Sequence, residues 1–116
     1  MQHLFILNDA PYGSERSYNA LRLALALAKH ADTELRIFLM ADAVFCAKGG
    51  QSTPDGYYNV QRMLRGVVAK GAEVACCGTC MDARGMTDGD LCEGTRRSSM
   101  AELADWTIAA DTIQVW

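Results

Sequence analysis

The run Leu4-Phe5-Ile6-Leu7 is apolar at every position and is stopped by Asn8, Asp9 and Pro11. Strand side chains alternate between two faces, so a run with no polar position reads as a strand covered on both sides, as in a parallel sheet between helices. Such a sheet needs crossover helices, and the chain supplies the first at once. After Pro11-Tyr12-Gly13, Ser14 stands where a cap belongs and Glu15 where a first turn begins. Leu21, Leu23, Ala24, Leu25, Leu27 and Ala28 then carry an apolar helix to about His30.

The alternation continues. Glu34 to Met40 reads as a second strand, and Ala41 to Ala47 leads into the polar stretch Lys48 to Gly56, the longest expected loop, in which Gly49-Gly50-Gln51-Ser52 reads as flexible. A helix beginning near Thr53 or Asp55, with Tyr57, Val60, Met63, Leu64 and Val67 as its apolar face, is expected to end before Gly71. Glu73 to Cys77 forms the third strand, and a turn with a short helix spans Gly78 to Ala83. The mixed segment Thr87 to Arg97 reads as loop with a turn of helix. Ser99-Met100-Ala101-Glu102 has capping-box spacing and opens a helix over Leu103, Trp106, Thr107 and Ala110, followed by a terminal strand from Thr112 to Trp116. The order is βαβαβαβ, with room for one extra short strand, in a parallel α/β sheet.

Length sets the domain count: 116 residues make one compact domain over residues 1–116. A chain of that size buries roughly 65% of its unfolded surface, enough for a core without disulfide or metal staples. Its five cysteines are therefore surplus to folding. No basic segment followed by an apolar stretch opens the chain, so no secretory signal is expected, and the cysteines read as reduced cytoplasmic thiols. Eleven basic and 14 acidic residues give a net charge of −3, which argues against a surface for nucleic acid. The longest apolar stretch, Leu23 to Ala28, falls far short of the roughly 20 residues a membrane span needs.

Parallel strands joined by right-handed crossovers end on one edge of the sheet, where ligand sites form. That edge gathers Asn8 and Asp9, Asp42 and Cys46, and Cys77, Cys80 and Asp82. The sharpest signal is Cys77-Gly78-Thr79-Cys80, a C-x2-C at the junction of a strand and a helical turn. Unpaired amides and the positive end of a helix stabilise thiolate over thiol at such a place, making Cys77 a candidate nucleophile. Arg84, seven residues on, is a candidate to add positive potential, although spacing alone does not establish the contact. Free cysteines also serve as small buried apolar residues, and that reading stands beside the reactive one. Cys76 points to the opposite face and reads as core; Cys46 is either a resolving thiol for Cys77 or buried beside Phe45; Cys92 is undecided. A zinc site through Cys77, Cys80 and Cys92 lacks a fourth ligand, since His3 and His30 fall away from the rim. No phosphate-binding glycine motif and no nucleophile elbow occurs. Asp9, Asp42 and Asp82 read as caps and loop residues, with cation binding or acid–base work as the alternative. Tyr12 and Tyr57-Tyr58 read as packing or as an apolar rim.

Leu4 to Asp9 with Tyr12-Gly13, Phe38 to Val44 with Cys46-Ala47, and Cys77 to Gly85 together resemble the DsrE/DsrF/YchN-like family of small sulfur-relay proteins. The resemblance covers nearly the whole chain, and its most specific element is a cysteine at the end of strand three followed by Arg-Gly, here Cys77, Arg84 and Gly85. It implies a three-layer α/β/α fold with a parallel sheet of four to five strands. It also implies a persulfide carried on Cys77 between sulfur donor and acceptor proteins, and assembly as a homotrimer or homohexamer. No cofactor and no metal is implied. Cys80 departs from relay subunits that have one active cysteine, and adds a thiol able to assist, or to attack a persulfide on Cys77. Three functions are therefore open: a sulfur carrier, a dithiol–disulfide redox protein, and a non-catalytic assembly or ligand-binding subunit of the same fold.

Overall fold

The computed structural model describes residues 1–116. Five strands, β1 (Gln2–Leu7), β2 (Glu34–Leu39), β3 (Glu73–Cys77), β4 (Thr95–Ser98) and β5 (Thr112–Val115), form one wholly parallel sheet in the order β4-β3-β2-β1-β5. The helices are α1 (Arg16–Leu27), α2 (Val60–Ala69), α3 (Gly78–Ala83) and α4 (Met100–Ala109), with a 3-10 helix over Ala41–Ala47.

From β1 to β4 the strand order advances one way and then reverses to reach β5. Right-handed crossovers put the elements before β4 on one face and α4 alone on the other, which gives the three-layer α/β/α arrangement. Strand register sorts the side chains accordingly. Phe5, Ile37, Val74 and Cys76 face α1 and α2, whereas Leu4, Phe38, Ala75 and Cys77 face α4. On the first face α2 buries Val60, Leu64 and Val67, one helical stripe, and Gly66 leaves room for Leu25 of α1. On the second face Trp106 meets Phe38 edge-on at 6.1 Å, with the guanidinium of Arg36 5.4 Å and that of Arg96 5.7 Å from its ring.

The chain departs from its sequence reading at four places. Helix α1 starts at Arg16 rather than Ser14, because the Ser14 hydroxyl is held by Asp9 at 2.8 Å and the Ser17 hydroxyl donates to the Asp9 carbonyl at 2.8 Å. Helix α2 starts only at Val60. Tyr57 and Tyr58 stack with centroids 4.5 Å apart, Tyr58 stacks on Tyr18 at 4.2 Å, and the Asn59 side chain then caps the helix by accepting the Arg62 amide. The loop before it is pinned, not loose: the Gln51 amide donates to the carbonyls of Cys46 and Lys48, each at 2.9 Å, and accepts the Tyr12 hydroxyl at 2.6 Å. The segment Thr87 to Arg97 contains β4, the extra strand, which holds its place by pairing Val74 with Thr95 and Cys77 with Ser98.

No helix is long and apolar enough to cross a membrane. Trp106, 5% exposed, fastens the only helix on its side of the sheet. Trp106→Ala is expected to cost about 3–5 kcal/mol of stability, measured by guanidinium unfolding of the two proteins.

Candidate functional site

Strand β3 ends at Cys77 and α3 begins at Gly78, with no loop between them. Cys77 is therefore both the last strand residue and the cap of α3. Its Sγ accepts the Cys80 amide at 3.3 Å and the Cys80 thiol at 2.6 Å, and lies 3.3 Å from the Thr79 hydroxyl. Burial opposes ionisation of Cys77, but hydrogen bonds from the side chains and amides of Cys80 and Thr79 outweigh it and hold the thiol below its ordinary value. Cys80 moves the opposite way. Burial and the adjacent Cys77 raise it, against a hydrogen bond from the Ala41 amide and the charge of Arg84. Of the two thiols, Cys77 is the one that ionises first.

Arg84 reaches Cys80 rather than Cys77: its Nη1 donates to the Cys80 carbonyl at 3.1 Å and its Nε to Asp42 Oδ1 at 2.9 Å. Gly85 places it there. With φ at 68°, Gly85 ends α3 in a Schellman turn, its amide on the Asp82 carbonyl and that of Met86 on the Met81 carbonyl. Ala41 is also unusual, a non-glycine residue at φ 48°, and its amide favours the ionised form of Cys80.

The cation beside Cys77 is Arg97, which sequence reading did not single out. It comes from β4 and grips Asp82 with both carboxylate oxygens at 2.7 and 2.8 Å from Nη2. The negative charge of Cys77 adds to that of Asp82 in raising Arg97, after the hydrogen bond to Asp82. Gly78 makes room, since a Cβ there would stand 3.0 Å from Arg97 Nε and from the Ser98 carbonyl. Cys77, Thr79, Arg97, Ser98, Ser99 and Met100 border an open cavity of about 220 Å³. A larger cavity of about 370 Å³ lies at the opposite end of β2 and β3, between Glu34, Arg36, Lys70 and Glu73, and contains no thiol.

The other cysteines stand apart. Cys46 is fully buried between Asp9 and Ser17 on the α1 side, and burial pushes its thiol up to about 12, so it is no partner for Cys77. Burial does the same to Cys76, to about 12, with Cys92 and Cys46 as its neighbours. Cys92 is buried and raised too, and lies beside Cys76 rather than on the cavity that Cys77 borders. The rim aspartates are each engaged by arginine: Asp9 near Arg16, Asp42 on Arg84, Asp82 on Arg97. No three His, Cys, Asp or Glu side chains converge as metal ligands.

The DsrE/DsrF-like family model matches residues 1–115. The chain belongs to the DsrE/DsrF-like family. It is 44% identical over 115 residues to Protein YchN of Escherichia coli K12, covering 97% of each chain. An uncharacterized protein of Methanopyrus kandleri, MK0008, is 40% identical over 108 residues, covering 93% of this chain and 88% of its own. The crystal structure of the ychN protein from E. coli superposes with a TM-score of 0.92 at 42% identity, over 100% of both chains. Family membership accounts for the parallel five-stranded sheet; the pairing of Cys77 with Cys80, Thr79 and Arg97 is read from this chain itself.

The hydrogen bonds on Cys77 set its pH response. Alkylation by iodoacetamide should label Cys77 first, with a midpoint below that of an ordinary thiol, slow below it and fast above it. Thr79→Ala and Cys80→Ala each remove a donor to the thiolate, so each should move the midpoint upward, read by peptide mass spectrometry across a pH series.

Proposed function

We propose that this protein is a small sulfur-relay protein that accepts a sulfane sulfur on Cys77. A donor persulfide transfers its outer sulfur to the Cys77 thiolate: a bond forms between Cys77 Sγ and that sulfur, the donor's S–S bond breaks, and the donor leaves as a thiolate. The observation that carries the reading is the Cys77 sulfur itself, held by three hydrogen-bonding groups and bordering a cavity that contains Arg97. Arg97 faces the charge of the incoming sulfur species, and Thr79 and Cys80 hold the nucleophile. Arg84 acts on Cys77 only through Cys80.

Family membership supports sulfur donor and acceptor proteins as partners, a single DsrE/DsrF-like unit over 1–116, and a cytoplasmic homotrimer or homohexamer. Exposed Ile108, Ile113 and Val115 offer apolar area for contacts between copies. A dithiol–disulfide function has one observation in its favour, the 2.6 Å separation of the two sulfurs. It predicts a Cys77–Cys80 disulfide in ordinary glutathione buffers without any sulfane donor.

Exposure to a cysteine desulfurase and cysteine should add the mass of one sulfur to the protein, located on Cys77 by peptide mapping and absent in Cys77→Ser. A protein that gains no sulfur from the desulfurase or from inorganic polysulfide contradicts the proposal.

A further inference from the structure

We propose that Cys80 discharges the sulfur held on Cys77 as hydrosulfide, which makes the protein a persulfide reductase as well as a carrier. This inference rests on the persulfide reading of Cys77 and adds a second step to it. The Cys80 thiol passes its proton to the outer sulfur of the persulfide and its sulfur attacks Cys77 Sγ; a Cys77–Cys80 disulfide forms, the bond from Cys77 Sγ to the outer sulfur breaks, and that sulfur leaves with the electron pair and the proton as HS⁻. The sulfane sulfur is reduced and the two cysteines are oxidised; an external dithiol then reduces the disulfide and returns both thiols.

Three features carry the step. The attacking and attacked sulfurs already stand 2.6 Å apart within one helical turn, so no rearrangement of the chain is needed to bring them together. Cys80 also has its own stabilising groups, separate from those of Cys77. The Ala41 amide, in a residue with a left-handed backbone that alanine rarely adopts, favours its ionised form, and Arg84 is fixed nearby by Asp42 and by the Gly85 turn. Beside its contacts with Asp42 and the Cys80 carbonyl, Arg84 shares with the Ala41 amide the effect of favouring negative charge on Cys80. Finally, the cavity is bordered by Cys77 and Arg97 but not by Cys80, so a sulfur leaving Cys77 into the cavity departs away from the attacking group and toward a guanidinium.

The same arrangement times the step. While Cys77 is a thiolate, it keeps the proton on Cys80 through their hydrogen bond and through repulsion. Once Cys77 Sγ is bonded to a second sulfur, that charge moves outward by one atom, and the Ala41 amide and Arg84 then act on Cys80 against its burial alone. Sulfur uptake thus activates the thiol that expels it.

The test loads the full chain with inorganic polysulfide, removes excess anaerobically, and follows hydrosulfide by bimane trapping and the protein by intact mass. In the wild type the sulfur adduct should decay to the Cys77–Cys80 disulfide with one equivalent of hydrosulfide released. Cys80→Ser should keep its adduct over the same time. Arg84→Gln should slow the first-order release, measured on protein already loaded, by roughly three- to tenfold, since less thiolate forms but each thiolate is more nucleophilic. A wild-type adduct that persists, or release from Cys80→Ser at the wild-type rate, overturns the inference and leaves the carrier standing. Failure of Cys77 to load in either protein overturns both.

Discussion

Cys77 ends β3 and caps α3, so one sulfur atom accepts the Cys80 amide where helices ordinarily use an oxygen of Ser, Thr, Asp or Asn. A neutral thiol is a weak acceptor, and a thiolate is a far better one. The first turn of α3 is therefore best satisfied when Cys77 is ionised, which couples the local fold to the charge state that the chemistry requires. The remaining features follow from that turn. Thr79 and Cys80 become donors because they occupy the two positions after Gly78, and Arg84 becomes a neighbour of Cys80 because α3 is short enough to end one residue before it.

The pleat of β3 separates two adjacent cysteines into opposite fates. Cys76 faces α1 and α2, where apolar neighbours offer its thiol no hydrogen-bond donor and burial holds it neutral. Cys77 faces α4 at the open end of the sheet and meets amides and hydroxyls instead. The same residue type, one position apart, is core in one case and, in the proposed function, nucleophile in the other. Topology keeps that open end available: three crossovers load one face with helices, and the single return crossover leaves only α4 on the side where Cys77 lies.

Features set by neighbouring residues were legible in the sequence. The run Leu4 to Leu7 identified a buried parallel strand, Ser99 proved to cap α4 by accepting the Glu102 amide, and the C-x2-C located the site at a strand end. Features set by distant contacts were not. Thr95-Arg96-Arg97-Ser98 has no apolar alternation, because β4 is an edge strand held by backbone pairing to β3 and by Arg96 against Trp106 and Glu102. Arg97 was hidden for the same reason: only the register Cys77 to Ser98 and the absence of a side chain at Gly78 bring it to the cavity. Tyr57 fits a helical spacing yet stays outside α2, because stacking on Tyr58 and the Asn59 cap outweigh one more helical turn. Spacing made Arg84 a candidate neighbour of the thiols without establishing contact, and Asp42, 42 positions away in the chain, holds it beside Cys80.

The arginine–aspartate pairs at the rim are too exposed to add much to stability, and their value lies in position. Asp42 keeps Arg84 against the Cys80 carbonyl, and Asp82 keeps Arg97 across Gly78. Each carboxylate also offsets part of the field its arginine exerts on the neighbouring sulfur. Direct hydrogen bonds, not the arginines, therefore lower the Cys77 thiol, and the arginines matter most when charge moves. An anion arriving at or leaving Cys77 meets a guanidinium already oriented by Asp82, so little reorganisation is needed at that moment. Two thiols, two arginines and two aspartates thus form paired units, one around Cys77 and the other around Cys80.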